Sequence, residues 1–207
     1  MKPSDGHAKA QTFGREPLQK TSPYQTPQAF EARLQFRNEH FVVIDKPAGM
    51  NFHSEAAAGL VVQVQAQLGV DALYPVHRLD KMTSGLVIFA LDKSTAQAFQ
   101  QMFENRLVAK YYLAISSEKP KKKQGWIKGD MLPARRGSWK LAPTKTHPAI
   151  TQFTSVSTRP NERLFLVKPH TGKTHQIRVA LKSIGAPIAG DVRYANAQSA
   201  KEEDRGY

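Results

Sequence analysis

The run His77-Arg78-Leu79-Asp80-Lys81-Met82-Thr83-Ser84-Gly85 sets one carboxylate, Asp80, between two cations, Arg78 and Lys81. Small and polar residues follow, and then the apolar run Leu86-Val87-Ile88-Phe89-Ala90. A carboxylate in a tight loop at the mouth of a buried strand is a candidate nucleophile or base, and neighbouring positive charge favours its ionised form at neutral pH. Such a group suits attack on an electron-poor carbon, and the cations beside it suit an anionic substrate. Two further segments carry reactive residue types: Lys110-Tyr111-Tyr112-Leu113-Ala114, and the stretch from His170 to Leu181 that includes His175 and Arg178. Each has an ordinary reading: an ion pair at a helix end, a half-buried strand tyrosine, a surface cation.

The elements that must position these residues follow from periodicity. Phe41–Ile44 and Leu86–Leu91 read as strands, the first ending in turn chemistry at Asp45–Gly49. Residues 59–68 fit a helix, although the valines leave a strand open. Over residues 94–105 Ala96, Phe99 and Phe103 share one helical face. Val108–Ile115 reads as a strand containing both tyrosines, 119–125 as a basic turn, and 125–148 as short strands joined by loops. Ala149–Ser157 and Arg163–Lys168 form a hairpin pair. Thr174–Ile184 is a helix with Ile177, Ala180, Leu181 and Ile184 at i, i+3, i+4, i+7, and Gly185 stops it. The class is α+β: a mixed, largely antiparallel sheet with flanking helices. Residues 1–30 read as a mobile extension, 31–197 as one domain and 198–207 as a polar tail.

The chain has 207 residues and a formal net charge of +13. From Arg106 to Arg178 there are 16 Lys and Arg against 3 Asp and Glu, so the whole excess sits in about a third of the sequence. Concentrated positive charge marks a polyanion binder, and its plainer meaning is a solvated basic face. There is no Cys, which rules out disulfides, thiolate metal sites and a Cys nucleophile. No apolar run approaches the ~18 residues of a membrane span, and the first residues lack the apolar core of a signal peptide. The expectation is a soluble cytoplasmic protein.

Taken in order, HRLDKMTSGLVIFA, KYYLA and THQIRVAL resemble the motifs of the RluA-type pseudouridine synthases, over roughly residues 36–195. Ile44–Met50 resembles that family's opening motif, and Gly185–Asp191 its closing GxPIxGD element. The resemblance implies the pseudouridine synthase catalytic fold and isomerisation of uridine to pseudouridine within rRNA or tRNA. The N1–C1′ bond breaks, the uracil turns while bound, and C5 bonds to C1′, with the nucleotide flipped out of its stack. By the same resemblance Asp80 is the essential carboxylate, acting at C1′ as nucleophile or at C2′ as base. Tyr112 stacks on the base, its phenol a candidate for helping remove the C5 proton, and Arg178 pairs with Asp80. Arg78, Lys81, Thr83, Lys110 and His175 are the expected substrate-binding residues. For Arg78 an intramolecular role stands beside contact with phosphate. With no room in residues 1–35 for the family's S4-type module, RNA affinity falls to the catalytic domain, chiefly Lys121, Lys122, Lys123, Arg135 and Arg136. No cofactor, metal, membrane or obligate protein partner is implied, and a monomer is expected. Lys173, Ala180 and Ala186 depart from the family's usual Arg, His and His.

Other readings fare less well. A non-catalytic RNA-binding or ribosome-assembly factor explains the basic segment but does not require Asp80, Tyr112 and Arg178 together. A glycosidase wants two carboxylates at a fixed separation, and no second one accompanies Asp80. His170 and His175 flank a glycine at poor spacing for two ligands on one helix face. Gly172-Lys173-Thr174 would need a glycine at 167 to close a phosphate loop, and Val167 stands there. Ser84 lacks the strand-to-helix elbow of a hydrolase serine. Trp126 and Trp139 read first as packing residues and second as base-stacking platforms.

Overall fold

The computed structural model describes residues 33–55 and 58–195; the expected N-terminal extension and C-terminal tail lie outside them. Two sheets carry the fold. The first has strand order β1-β2-β4-β3, from Arg33–Arg37 (β1), Phe41–Lys46 (β2), Tyr74–Pro75 (β3) and Gly85–Ala90 (β4). The second has order β5-β9-β8-β6-β7, from Tyr112–Ser116 (β5), Gln124–Pro133 (β6), Trp139–Ala142 (β7), Ala149–Arg159 (β8) and Glu162–Pro169 (β9). Every described strand pair is antiparallel, so the expected mixed character is absent from the described pairings. Among the described residues three α-helices accompany them: Leu60–Leu68 (α1), Lys93–Glu104 (α2) and Gln176–Ser183 (α3).

Alternation explains β2. Val42, Ile44 and Lys46 point inward while Phe41, Val43 and Asp45 are half-buried on the other face. Asp45 and Lys46 therefore belong to the strand, not to the turn expected there. Val42 and Ile44 pack in the same sheet as Val87 and Phe89 of β4, all 1% exposed or less. Phe52 stacks on Phe89 at 5.8 Å between ring centroids. Asp92 caps α2, its carboxylate accepting from the backbone N–H of Thr95 at 2.7 Å. The expected face of α2 is the one used: Phe99 meets Phe41 edge-on and Phe103 meets the His77 ring.

The β8–β9 hairpin forms as expected, with Arg159 opposite Glu162 at its turn. One face of this sheet supplies Ala114, Ile127, Phe153, Phe165 and Val167, which pack with Ala180 and Leu181 of α3 and with Ala186. Ala180 and Ala186 are 2% and 0% exposed. A bulky histidine at either position would overpack this cluster.

Three expectations for the second half need correction. β6 is one ten-residue strand, not several short ones. It pairs with β8 up to Gly129 and with β7 from Asp130. Gly129 permits the change of partner, since a Cβ there would lie 2.2 Å from the Ala142 carbonyl oxygen. Also, β5 begins at Tyr112, leaving Tyr111 just outside it, and α3 begins at Gln176. His175 precedes α3 in the left-handed region, at φ 55°, so Thr174 and His175 are loop residues.

Candidate active site

Asp80 sits in the loop between β3 and β4, and main-chain contacts hold that loop. Thr83 N donates to Asp80 O at 3.0 Å, and Gly49 N donates to Lys81 O at 2.9 Å. Strand parity turns Lys46 into the interior, opposite Gly85 at the end of the loop. Its ammonium donates to the carbonyls of Pro47, Lys81 and Thr83, each at 2.9 Å. Three acceptors satisfy the three donors of a buried ammonium and offset its desolvation. Burial still pulls the Lys46 pKa down to about 8, with the charge of Asp80 opposing that shift.

Arg178, on the first turns of α3, reaches across a sequence separation of 98 residues to donate from Nη1 to Asp80 Oδ2 at 3.1 Å. The same guanidinium is held from its other edge by Asp191, with Nε to Oδ2 at 2.7 Å and Nη2 to Oδ1 at 2.9 Å. This fork fixes the plane of Arg178 and aims its remaining edge at Asp80. Burial opposes the guanidinium charge, but the hydrogen bonds and charges of Asp191 and then Asp80 outweigh it and push the Arg178 pKa up. Arg178 also lies over the ring of Tyr194, 4.9 Å from its centroid.

His175 completes this corner. Its Nε2 stands 4.0 Å from Asp80 Oδ2, and its Nδ1 lies 2.8 Å from the Tyr194 hydroxyl. That hydroxyl accepts from Trp139 N at 2.9 Å, so its own proton is available to His175 Nδ1. The network assigns His175 as the Nε2–H tautomer facing Asp80. A neutral ring fits the direction of its pKa, lowered by burial first and by the Arg178 charge second. The loop before it is anchored by Gln176, whose side chain donates to Ile150 O and Thr151 Oγ1 and accepts from Lys173 N and Thr171 Oγ1.

Tyr112, at the head of β5, lies opposite Val167 and packs against the α3-facing core. Burial, and then the negative charge of Asp80, raise its pKa. A phenol that stays protonated suits stacking and hydrogen-bond donation better than proton abstraction at neutral pH.

The remaining expected residues divide. Arg78 and Lys81 are exposed beside Asp80, and Thr83 is half-buried in its turn. Lys110 instead stands over the Phe103 ring at 5.5 Å, and its charge acts on His77. That is packing behind the loop, so the expectation of a substrate contact finds no support in its neighbours. Lys121, Lys122, Lys123, Arg135 and Arg136 are exposed, and the Arg136 carbonyl accepts from Arg193 Nη1 at 2.8 Å. Asp191, Tyr194 and Lys46 were not singled out by sequence. Asp191 and Lys46 lie inside the closing and opening motifs, and nothing local in the sequence marks Tyr194. A hollow of about 440 Å³ lies beside the His175 loop, lined by Trp139, His147, Lys173 and Thr174 among others. Asp80 does not line it; its side chain is reached directly, being 27% exposed.

His77 provides a pH-dependent support. Its Nε2 accepts from Ile88 N at 3.0 Å, which requires a neutral ring. Burial, followed by the charge of Lys110, lowers its pKa to about 4. The unfolded chain takes up this proton from about pH 6.5 downward, while the fold resists until about pH 4. This contribution to stability is therefore present above pH 6.5 and lost as the pH falls toward 4, by about 2–3 kcal/mol. Urea melts at pH 7 and pH 4.5 are expected to show a smaller pH difference in His77→Gln than in the parent. An equal difference in both would remove His77 from the acid sensitivity.

Residues 40–183 match the family model described as RNA pseudouridylate synthase. The chain belongs to the RNA pseudouridine synthase family. Members of this family are isomerases, and the chain is 49% identical to an uncharacterized RNA pseudouridine synthase of Haemophilus influenzae, over 86% of this chain and 79% of that protein. It is 33% identical to ribosomal large subunit pseudouridine synthase C of Rickettsia bellii, over 79% of this chain and 56% of the relative. The chain thus spans most of the first relative and little more than half of the second. Among solved structures it is similar to human RNA pseudouridylate synthase domain containing 4, with TM-score 0.67 and 26% identity over 81% of this chain and 70% of that one. No helix among the described residues is long and apolar enough to cross a membrane.

Proposed function

We propose that this synthase converts uridine to pseudouridine in structured ribosomal or transfer RNA, with Asp80 as its essential carboxylate. The observation that carries the reading is the contact between Asp80 and Arg178, two residues brought together across a sequence separation of 98. Asp191 keeps the guanidinium aimed, His175 offers a neutral N–H, and Tyr112 offers a protonated aromatic face. In this reading the target nucleotide flips toward Asp80 and its base stacks on Tyr112. Asp80 then either attacks C1′ as the N1 bond breaks or removes the C2′ proton to drive that cleavage. The freed uracil turns and C5 bonds to C1′, displacing the Asp80 carboxylate from C1′ in the first route or with the proton returned from Asp80 to C2′ in the second. The C5 proton then leaves as N1 takes one up. Both routes use the same carboxylate, and neither consumes a co-substrate.

The test is transcriptome-wide pseudouridine mapping in cells with and without the gene. One or a few uridines that lose modification, and regain it on complementation, support the reading. An unchanged map alongside altered particle assembly would assign the chain to RNA binding alone.

RNA docking should draw on exposed Lys121, Lys122 and Lys123 through phosphate neutralisation. The triple Glu variant is expected to weaken RNA binding and to make the log–log salt dependence shallower by about 2–3, with turnover at saturating RNA little changed. A salt slope equal to that of the parent would place the docking surface elsewhere.

A further inference from the structure

The second sheet has a face that the site does not use. Parity places Tyr112, Ala114, Phe153 and Val167 toward α3, so the alternate residues point the other way. Across that outer face Trp126 of β6 lies opposite Gln152 of β8, which lies opposite Lys168 of β9. Tyr111 continues the row at the β5 edge, with the Lys168 ammonium 5.3 Å from its ring centroid. In the neighbouring row Lys128 stands over Trp126 at 5.0 Å, and the His170 ring lies 4.9 Å from the Trp126 ring. Trp126 is 52% and Tyr111 59% exposed, so Trp126 packs on one side and leaves about half of its surface open to solvent.

The charge around these rings is one-sided. Lys128 and Lys168 each stand over one of them, and the His170 pKa is lowered by burial and then by the charges of Lys168, Arg106 and Lys128. The next outward residue of β6, Asp130, has its carboxylate engaged by the backbone N–H groups of Thr146 and His147.

We propose that this outer face is a second RNA-binding surface, on which unpaired bases flanking the modified nucleotide stack on Trp126 and Tyr111 while Lys128 and Lys168 meet the phosphates. The occupant is argued from complementarity. Exposed aromatic rings separated by cations match the alternation of bases and phosphates in a single strand, and aromatics on an open sheet face stack bases without needing a particular sequence. Three strand spacings put the two rings roughly 14 Å apart. Tyr111 and Tyr112 are consecutive and face opposite ways, so a strand leaving a base stacked on Tyr112 meets Tyr111 by rounding the β5 edge. The proposal rests on the reading of the chain as an enzyme that works on RNA.

Full-length protein is titrated with single-stranded oligouridine and with a fully paired RNA hairpin. Binding is followed by tryptophan emission and by anisotropy of labelled RNA, and melting temperatures control for folding. Oligouridine is expected to quench an emission component that is absent from Trp126→Phe. Its Kd should rise about tenfold in Trp126→Ala and in Tyr111→Ala, with Trp126→Phe retaining most of the affinity. With the RNA substrate the alanine variants should raise KM and leave kcat unchanged. Unchanged oligouridine affinity in the folded Trp126→Ala/Tyr111→Ala double variant overturns the proposal and leaves the face, with exposed Leu113 and Leu166 beside it, to a protein partner. Failure of the parent and of Asp80→Asn to bind any RNA would instead overturn the RNA reading on which it rests.

Discussion

Asp80→Asn is expected to abolish pseudouridine formation, by at least about a thousandfold, while leaving the fold and RNA affinity nearly unchanged. The loop does not depend on this carboxylate for its shape. Lys46 holds the carbonyls of Lys81 and Thr83, and Gly49 N binds the Lys81 carbonyl as well. Asn retains an oxygen that can accept from Arg178, and Arg178 keeps both bonds to Asp191. With the side chain part-exposed, the loss of stability should stay within about 1 kcal/mol. What disappears is the negative charge and the basic oxygen that either chemical route requires. Denaturant melts beside single-turnover assays separate the two effects.

Asp191→Ala is expected to damage both stability and activity, although Asp191 does not touch Asp80. Its side chain is 7% exposed and forms the fork that orients Arg178. Removing it leaves a largely buried guanidinium with one anionic partner, a class of change that costs about 2–4 kcal/mol. The guanidinium is then free to turn away from Asp80, and misplacement of this kind lowers turnover by about 10–100-fold. Arg178→Lys supplies the comparison: the charge remains, but the planar fork that spans two carboxylates is lost. If Asp191 acts by aiming Arg178, the effects on kcat of Asp191→Ala and Arg178→Lys are strongly non-additive in the double variant. Additive losses would mean that Asp191 acts independently of Arg178.

The sequence made some of this arrangement legible and hid the rest for identifiable reasons. The hairpin of β8 and β9, the apolar face of α2 and the core stripe of α3 follow from periodicity, because in each the pattern of the residues and the environment agree. Lys46 escaped notice because a lysine at an inward position of a strand contradicts the hydrophobic pattern, and only the tertiary fold shows three carbonyls waiting for it. The residue types of Asp80 and Arg178 drew attention, and a family resemblance paired them, but their separation of 98 residues makes the contact invisible to local rules. Asp191 and Tyr194 were missed for the same reason, since each acts on Arg178 and His175 through space. His175 was assigned to the helix because spacing carries no information about the left-handed turn that places it before α3. Alternation along an extended backbone sends Tyr111 and Tyr112 to opposite faces, but only the location of the core decides which face is which.

One experiment decides whether Asp80 carries the chemistry. RNA from cells lacking the gene is incubated with purified protein, parent or Asp80→Asn, and pseudouridine is mapped while RNA binding is measured in parallel. The predicted result is new pseudouridine at discrete uridines with the parent, and none with Asp80→Asn despite comparable binding. Modification at the same positions by Asp80→Asn, at a rate near that of the parent, would contradict the assignment of this carboxylate to the chemistry.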